Sequence, residues 1–287
     1  MLHYIITRFN LHLWSHDKRG KAIDREQWLE RRLDLFERYC LPSLCRQTCQ
    51  NFTWFLLFDK QTPEKYKERV TGYKTICPQI QLIGMQPTSA TAFISTVQDF
   101  VGDFAIEHQR THPEADRIIT TYLDNDDALR QDFVEKVQLA AERVKPRTFI
   151  SFSKGIQYFT ELQIATKIPY KNNHFISFVE DIDGMHPIVT VYGFGSHFYI
   201  EQIPDCEIKY IDNIPMWVEV IHEENVDNDV KMTFRTKLIT DQAKLAPYGD
   251  NIIISQKSRQ VYLTRFLWRR FTQTVRRLKN KITGENW

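Results

Sequence analysis

The chain has 287 residues, 42% of them hydrophobic, 13% aromatic and 26% charged, enough apolar mass for a sizeable core in one domain or one and a half, which excludes a disordered or fibrous protein. The net charge of +2 is uneven: residues 257 to 281 hold nine Lys or Arg and no acid, leaving 29 basic against 36 acidic residues, or −7, in the remainder. Five cysteines without a CxxC pair exclude a disulfide framework and signal no zinc site, which fits a reduced, cytoplasmic setting.

The opening Met1 to Arg8 lacks a basic stretch followed by an apolar one, and no apolar run approaches the roughly 20 residues that span a bilayer, so neither a signal peptide nor a membrane span is expected. His3 to Phe9 alternates and is rich in Ile, Tyr and Thr, which predicts a first strand with a loop after it at Asn10. Asp24 can cap a helix with Gln27 three residues on, and Leu29, Leu33, Phe36, Cys40 and Leu44 recur at helical spacing, with Pro42 expected to kink or end the helix. Phe52 to Phe58 is a continuous apolar run ending at Asp59, the pattern of a strand buried on both faces of a parallel sheet. An acidic helical region from Thr62 to Tyr73 precedes a strand at Ile80 to Gly84, and residues 91 to 109 form another apolar-periodic helix. Arg117 to Leu123 is a strand that runs directly into Asp124-Asn125-Asp126-Asp127.

Strands alternating with helices imply an α/β fold with a mostly parallel, Rossmann-like sheet flanked by helices, whose ligands sit at the carboxyl ends of the strands. Arg8, Asp59 and Asp124 all fall at such ends, so the topology puts them on one rim. Beyond the acids, Asp132 can cap a helix through Val144 with Glu135 at its third position. Strand-like segments at Thr148 to Ser153, Phe175 to Val179 and Ile188 to Tyr192 are irregularly spaced and predict an antiparallel extension.

Three carboxylates within four residues repel one another unless a cation or a capped backbone offsets them. Hard oxygen ligands of this kind suit Mg²⁺ or Mn²⁺ bridging phosphate oxygens, and such a cation stabilises a departing nucleoside diphosphate. The bland alternative is an acid that caps a turn, but the buried strand before Asp124 delivers these side chains to the ligand rim, as a DxD motif requires. Arg8 suits a phosphate contact, because guanidinium matches phosphate oxygens bidentately; its alternative is a surface salt bridge.

Four stretches carry a resemblance: Tyr4-Ile5-Ile6-Thr7-Arg8-Phe9-Asn10, Arg32 to Leu44 (RLDLFERYCLPSL), Phe52-Thr53-Trp54 through Phe58-Asp59, and Leu123-Asp124-Asn125-Asp126-Asp127-Ala128-Leu129. Together they resemble the bacterial rhamnosyltransferase family, and Trp217 to His222 with Asn225-Val226 is similar to that family's later motif, except that Glu223 and Glu224 stand where a glycine is expected. The resemblance implies a GT-A-like glycosyltransferase that moves a sugar from a nucleotide-diphosphate donor to a polysaccharide or lipid-linked glycan. By it, Arg8, Asp59, Asp124, Asp126 and Asp127 bind the donor, with Asp59 near the base, and a late histidine, His222, joins Asp124 and Asp126 around the metal; the alternative for His222 is a structural histidine. Nothing in these residues selects rhamnose over another hexose.

An inverting transfer needs a general base near the acceptor hydroxyl. His197, after the Gly193-Phe194-Gly195-Ser196 stretch whose glycines would let backbone approach a sugar, and Asp181 at a strand end lead the candidates; Glu180, Asp205 and Asp212 are the others. Trp217 reads equally as core or as a platform for sugar stacking. The expected layout is a catalytic domain over residues 1–256, with a donor half to about 130 and an acceptor half from about 131, followed by a basic tail over 257–287.

In that tail, Val261, Trp268, Phe271, Val275, Leu278 and Ile282 define one helical stripe among Arg265, Arg269, Arg270, Arg276, Arg277, Lys279 and Lys281. The pattern suits an interfacial helix on the inner face of an anionic membrane, or one docked on the acidic body; a nucleic-acid partner is not expected of a chain whose body is negative. The competing readings are a metal-dependent phosphohydrolase, for which no DxDxT/V signature is present, and a non-catalytic GT-A-like protein that binds a membrane.

Overall fold

The computed structural model describes residues 1–11, 25–86, 89–184, 186–222 and 237–255, and in the tail 257, 260, 261, 264, 267, 268, 271, 272 and 275. The apolar runs of the first half become β1 (Leu2–Arg8), β2 (Thr53–Asp59), β3 (Ile80–Met85) and β4 (Arg117–Tyr122). They pair in parallel in the order β4-β1-β2-β3, with Ile5 opposite Trp54 and Thr121. The interiors of β1, β2 and β4 are buried on both faces, which is why they read as unbroken hydrophobic runs.

Between the strands lie α1 (Arg25–Leu35), α2 (Leu41–Cys45), α3 (Glu64–Ile76), α4 (Ala90–Thr111) and, after β4, α5 (Phe133–Ala141). On one face of the sheet Ile5, Trp54, Leu56 and Ile119 pack against Leu33, Phe36, Val70 and Val137. On the other, Tyr4, Ile6, Phe55 and Ile118 meet Phe93, Val97, Val101 and Ala105, the apolar stripe of α4. Each large apolar side chain buried this way contributes about 1.5–3 kcal/mol. Ser89 starts α4 by accepting a hydrogen bond from the Ala92 amide at 3.1 Å.

Pro42 does not end its helix. The backbone widens into a π-helical turn over Phe36–Cys40, in which the Leu41 amide donates to the Phe36 carbonyl five residues back. The wider turn accommodates a proline that lacks an N–H and would clash with the carbonyl four residues before it. Asp24 lies outside the described residues. Asp132 stands at the start of α5 without capping it, because its carboxylate is paired with Arg130, and the helix stops at Ala141 rather than Val144.

The second half supplies β5 (Ala128–Leu129), β6 (Thr148–Phe152), β7 (Lys154–Phe159), β8 (Ile164–Pro169), β9 (Ser177–Asp181), β10 (Glu207–Ile211), β11 (Trp217–Ile221) and β12 (Lys237–Ile239). Among the described residues, antiparallel β9 followed by β6 and β10 extends the main sheet to seven strands, β10-β6-β9-β4-β1-β2-β3, and a second, five-stranded sheet runs β12-β8-β7-β11-β5. The fold is mixed α/β with a central sheet flanked by helices. Parallel pairs dominate the main sheet, and antiparallel pairs dominate the second.

Ile188 to Tyr192 is not a strand. The amides of Val189 and Thr190 donate to the Glu180 carboxylate at 2.8 and 2.9 Å, and that of Val191 donates to Thr120 Oγ1 at 2.8 Å. Side chains therefore take the bonds a ladder would need, and Thr190 is held at φ +62°, a conformation costly for a β-branched residue. Glu180 thereby clamps the loop. The segment folds over the ends of β1 and β4, where the Tyr192 hydroxyl donates to the Ile6 carbonyl at 3.3 Å.

The two sheets are joined through Trp217, fully buried, stacked on Phe175 at 4.6 Å between ring centroids and donating from Nε1 to the Phe152 carbonyl at 2.8 Å. It is a core residue, not a sugar platform. A Cβ at Gly155 would sit 2.2 Å from the Trp217 ring. Gly155→Ala is therefore expected to lower unfolding free energy by about 1–3 kcal/mol in urea titrations. Gly72→Ala, within α3 and with nothing within 4 Å of its added Cβ, should raise it by about 0.5–1 kcal/mol.

Candidate functional site

β4 ends at Tyr122, and the chain then turns so that the Asp127 amide approaches the Asp124 carbonyl at 3.5 Å. This turn sends the three carboxylates to different partners. Asp126 points back into the protein, where its Oδ2 accepts from Arg32 Nη1 at 2.7 Å and meets His222 Nε2 at 2.9 Å. Asp127 is held by the Val220 amide on Oδ1 and by His174 Nε2 on Oδ2, each at 2.8 Å. Asp124 remains at the surface, its side chain 33% exposed against 7% for Asp126 and 1% for Asp127, and accepts from the Tyr122 hydroxyl at 2.8 Å.

The ground under this turn is the Arg32 to Leu44 segment. Arg32 also donates to Asn125 Oδ1 at 3.2 Å, the Cys40 thiol meets the Asp124 carbonyl at 3.6 Å, and Ser43 Oγ accepts from the Leu129 amide at 3.2 Å. Asn125 donates to the Phe9 carbonyl and so ties the turn to the end of β1. Arg69 clamps the same helix from α3, with both Glu37 oxygens at 2.7 and 2.8 Å.

Of the expected rim residues, Arg8 and Asp124 come together at 3.5 Å, with Tyr122 bonded to both and the guanidinium 5.1 Å from the Tyr122 ring centre. Both charged groups are about one-third exposed, so a ligand can reach them. Asp59 ends β2 on the same rim, but its carboxylate accepts from the Gln61 amide at 2.6 Å and its own amide donates to Asn10 Oδ1 at 3.1 Å. It shapes a tight turn.

His174 was not signalled by spacing, and it is the side chain that completes the cluster. It ends the loop Tyr170 to Asn173 and enters the site because β9 runs antiparallel to β4, which brings the start of one beside the end of the other. The Asn172-Asn173-His174 run ahead of a buried strand was the one local hint. Around it stands a row of rings: His197 lies 5.8 Å from His174 between centroids, with its Nε2 3.4 Å from the Tyr170 hydroxyl, and Phe198 lies 4.2 Å from His197. Phe198 and Tyr199 are 53% and 60% exposed, so the row runs from the buried acids to the surface.

Asp181 is elsewhere. It is in register with Arg117, to which it is ion-paired at 3.2 Å, at the other end of β4 and on the order of 15 Å of strand from the acids. Asp212 pairs with Lys154 at 3.7 Å, and Asp205 occupies a turn at φ +58°. Gly193 serves packing within its loop, since a Cβ there would meet Val189 at 2.5 Å. Glu223, Glu224, Asn225 and Val226 lie outside the described residues.

Burial alone would raise the Asp126 carboxyl, but Arg32 and His222 hold it well below the usual carboxylate range. Asp127 moves the other way: burial, together with the charges of Asp126 and Asp124, lifts it to about 8. Burial opposes protonation of His174, yet its bond to Asp127 and the nearby Asp127, Asp124 and Glu219 charges raise it to about 9. Burial is the larger cause for Asp127 and the Asp127 contact for His174, and neighbouring negative charge raises both. Donor atoms of Asp124, Asp127 and His174 lie within 4.8 Å of one another. Two carboxylates and an imidazole, one carboxylate open to solvent, make a donor set that fits a divalent cation. Asp126 and His222 meet each other instead, with the Arg32 charge on the same oxygen.

The family described as "Putative rhamnosyl transferase" matches residues 4–233. No curated protein matches the sequence. Among solved structures, the 1–349 fragment of S. aureus TarS in complex with UDP is similar at a TM-score of 0.40 and 7% identity, covering 77% of this chain and 61% of that one. The same fragment without UDP gives 0.42 and 7%, covering 77% and 60%, and the TarS chain gives 0.39 and 7%, covering 77% and 37%. The chain thus spans about three-fifths of the TarS fragment.

The Arg32–Asp126 pair is buried, so Arg32→Ala leaves the carboxylate without its guanidinium, His222 remaining beside it, and is expected to cost about 3–5 kcal/mol at neutral pH in urea titrations. Because the folded-state Asp126 carboxyl is depressed, pairing stabilises above the ordinary carboxyl range and is lost as pH falls. The gap between wild type and variant should therefore narrow from pH 5 toward pH 2.

Proposed function

The chain belongs to the rhamnosyl transferase family and is a glycosyltransferase, and from that premise we propose that it binds a nucleotide-diphosphate sugar at the rim formed by Arg8, Asp124 and Asp127, with Mg²⁺ or Mn²⁺, in a GT-A-type arrangement. One observation carries the reading: Asp124, Asp127 and His174 gather at the carboxyl end of a parallel strand, beside an accessible arginine. Bound there, the cation supplies positive charge beside the leaving diphosphate.

The protein's own groups do the rest. Arg8 takes phosphate oxygens in exchange for its long contact with Asp124, a charge-assisted bond suited to its planar fork. Asp126, locked between Arg32 and His222, holds the turn and faces away from the ligand. His197, in the row of rings leading outward, accepts the acceptor hydroxyl proton. As that oxygen bonds to the anomeric carbon, the bond from the same carbon to the diphosphate breaks and its electron pair leaves with the diphosphate, an inverting displacement. The exposed Phe198 and Tyr199 give a glycan or lipid-linked acceptor an aromatic surface beside this base. The family's description supports rhamnose as the transferred sugar in this reading.

A panel of nucleotide sugars with Mn²⁺ or Mg²⁺, read by calorimetry and by slow donor hydrolysis, tests this. At least one donor should bind, and Asp127→Asn and His174→Ala should each weaken binding by roughly tenfold or more. If no donor binds, or both variants bind as wild type does, the reading is wrong. His197→Ala should lower the transfer rate roughly 10²- to 10⁴-fold with donor affinity retained, whereas Asp181→Ala should leave both unchanged. Cation binding must displace protons from Asp127 and His174, so Mn²⁺ affinity should rise with pH and level off above about 9.

A further inference from the structure

The tail carries apolar surface that the body does not cover. Its described residues Gln260, Val261, Thr264, Leu267, Trp268, Phe271, Thr272 and Val275 are helical, and the Gln260 and Val261 amides donate to the Lys257 carbonyl at 3.0 and 3.1 Å. Leu267, Trp268, Phe271 and Val275 are 64%, 63%, 62% and 47% exposed. At 3.6 residues per turn these four and Val261 fall within an arc of about 120°. A helix docked on the acidic body would have buried that arc. Among the described residues no helix is long and apolar enough to cross a membrane. The sequence adds nine Lys or Arg and no acid over 257 to 281.

We propose that this tail docks the enzyme on an anionic lipid bilayer, with Leu267, Trp268, Phe271 and Val275 entering the headgroup boundary and the basic residues meeting the lipid charge. An apolar arc with a tryptophan, on a strongly cationic segment, is what a bilayer surface accommodates; a nucleic acid would answer the charge and leave the arc in water.

The attachment of the tail gives the docking a direction. The Ser255 amide, just before the helix, donates to the Gln163 carbonyl at 2.8 Å. Gln163 lies in the turn between β7 and β8, and at the start of that turn the Thr160 amide donates to the Ile221 carbonyl at 3.1 Å. Ile221 ends β11, and the next residue, His222, bonds to Asp126. The helix is thus rooted at the end of the second sheet that carries the acid cluster, so a docked tail holds that end toward the lipid surface. An acceptor carried by lipid then meets the site without leaving the bilayer. The docking itself rests on the tail and does not depend on which donor the rim binds.

Sedimentation of the full chain with phosphatidylcholine vesicles, with and without phosphatidylglycerol, tests the proposal. Binding is expected only with phosphatidylglycerol, weakening at high salt. Arg269→Gln with Arg270→Gln should lower partitioning roughly 20- to 30-fold, about fivefold per charge. Trp268→Ser with Phe271→Ser should lower it by roughly tenfold or more. Both double variants should keep the wild-type urea midpoint, which separates lost docking from lost fold. Absence of sedimentation, equal binding to neutral vesicles, unchanged binding in both variants, or a concentration-dependent dimer formed through the arc without lipid binding would each overturn the proposal.

Discussion

The structure is organised around one electrostatic constraint: three carboxylates in four residues, two of them buried, at the end of a parallel strand. Each buried acid is matched by a specific partner, Asp126 by Arg32 and His222, Asp127 by His174 and a backbone amide. Those partners come from α1, from β11 and its end, and from the loop before β9. The native turn therefore draws on both sheets and the first helix. An unpaired carboxylate in this interior would be far more costly than any one of the hydrogen bonds that prevent it.

That dependence explains why the Arg32 to Leu44 segment was so telling in the sequence. Its apolar residues pack under the sheet, but its polar ones, Arg32, Cys40 and Ser43, reach the acid turn itself. The segment is less a connector between two strands than the floor of the site. The π-helical turn before Pro42 belongs to the same arrangement: it lets one continuous helical stretch accommodate a proline while Cys40 and Ser43 stay directed at the turn.

Much of the first half was legible for a simple physical reason. Parallel strands buried on both faces write themselves as apolar runs, and the topology rule then puts Arg8, Asp59 and Asp124 on one rim. The second half was not legible to the same degree because its strands depend on long-range pairing. β7 and β8 form a hairpin whose buried positions include Gln157 and Thr166, so hydrophobic alternation is broken. Conversely, Ile188 to Tyr192 has the composition of a strand but gives its amides to Glu180 and Thr120. His174 carries little local signal for a related reason: only the antiparallel register of β9 on β4 brings it to the acids, and register is set by tertiary contact.

The same turn shows why motif spacing is an incomplete guide to which acid does what. Alternation along Asp124-Asn125-Asp126 suggests that the first and third residues act together, as they would on one face of an extended strand. The backbone is not extended there. The turn from Asp124 to Asp127 brings the first and fourth residues near one another and sends the third back into the protein toward Arg32. Asp126 Oδ2 already meets a guanidinium and an imidazole, whereas Asp127 and His174 partner each other beside the partly exposed Asp124. The partners of each carboxylate, more than its position in the motif, distinguish the acid that builds the turn from the acids proposed to hold the cation.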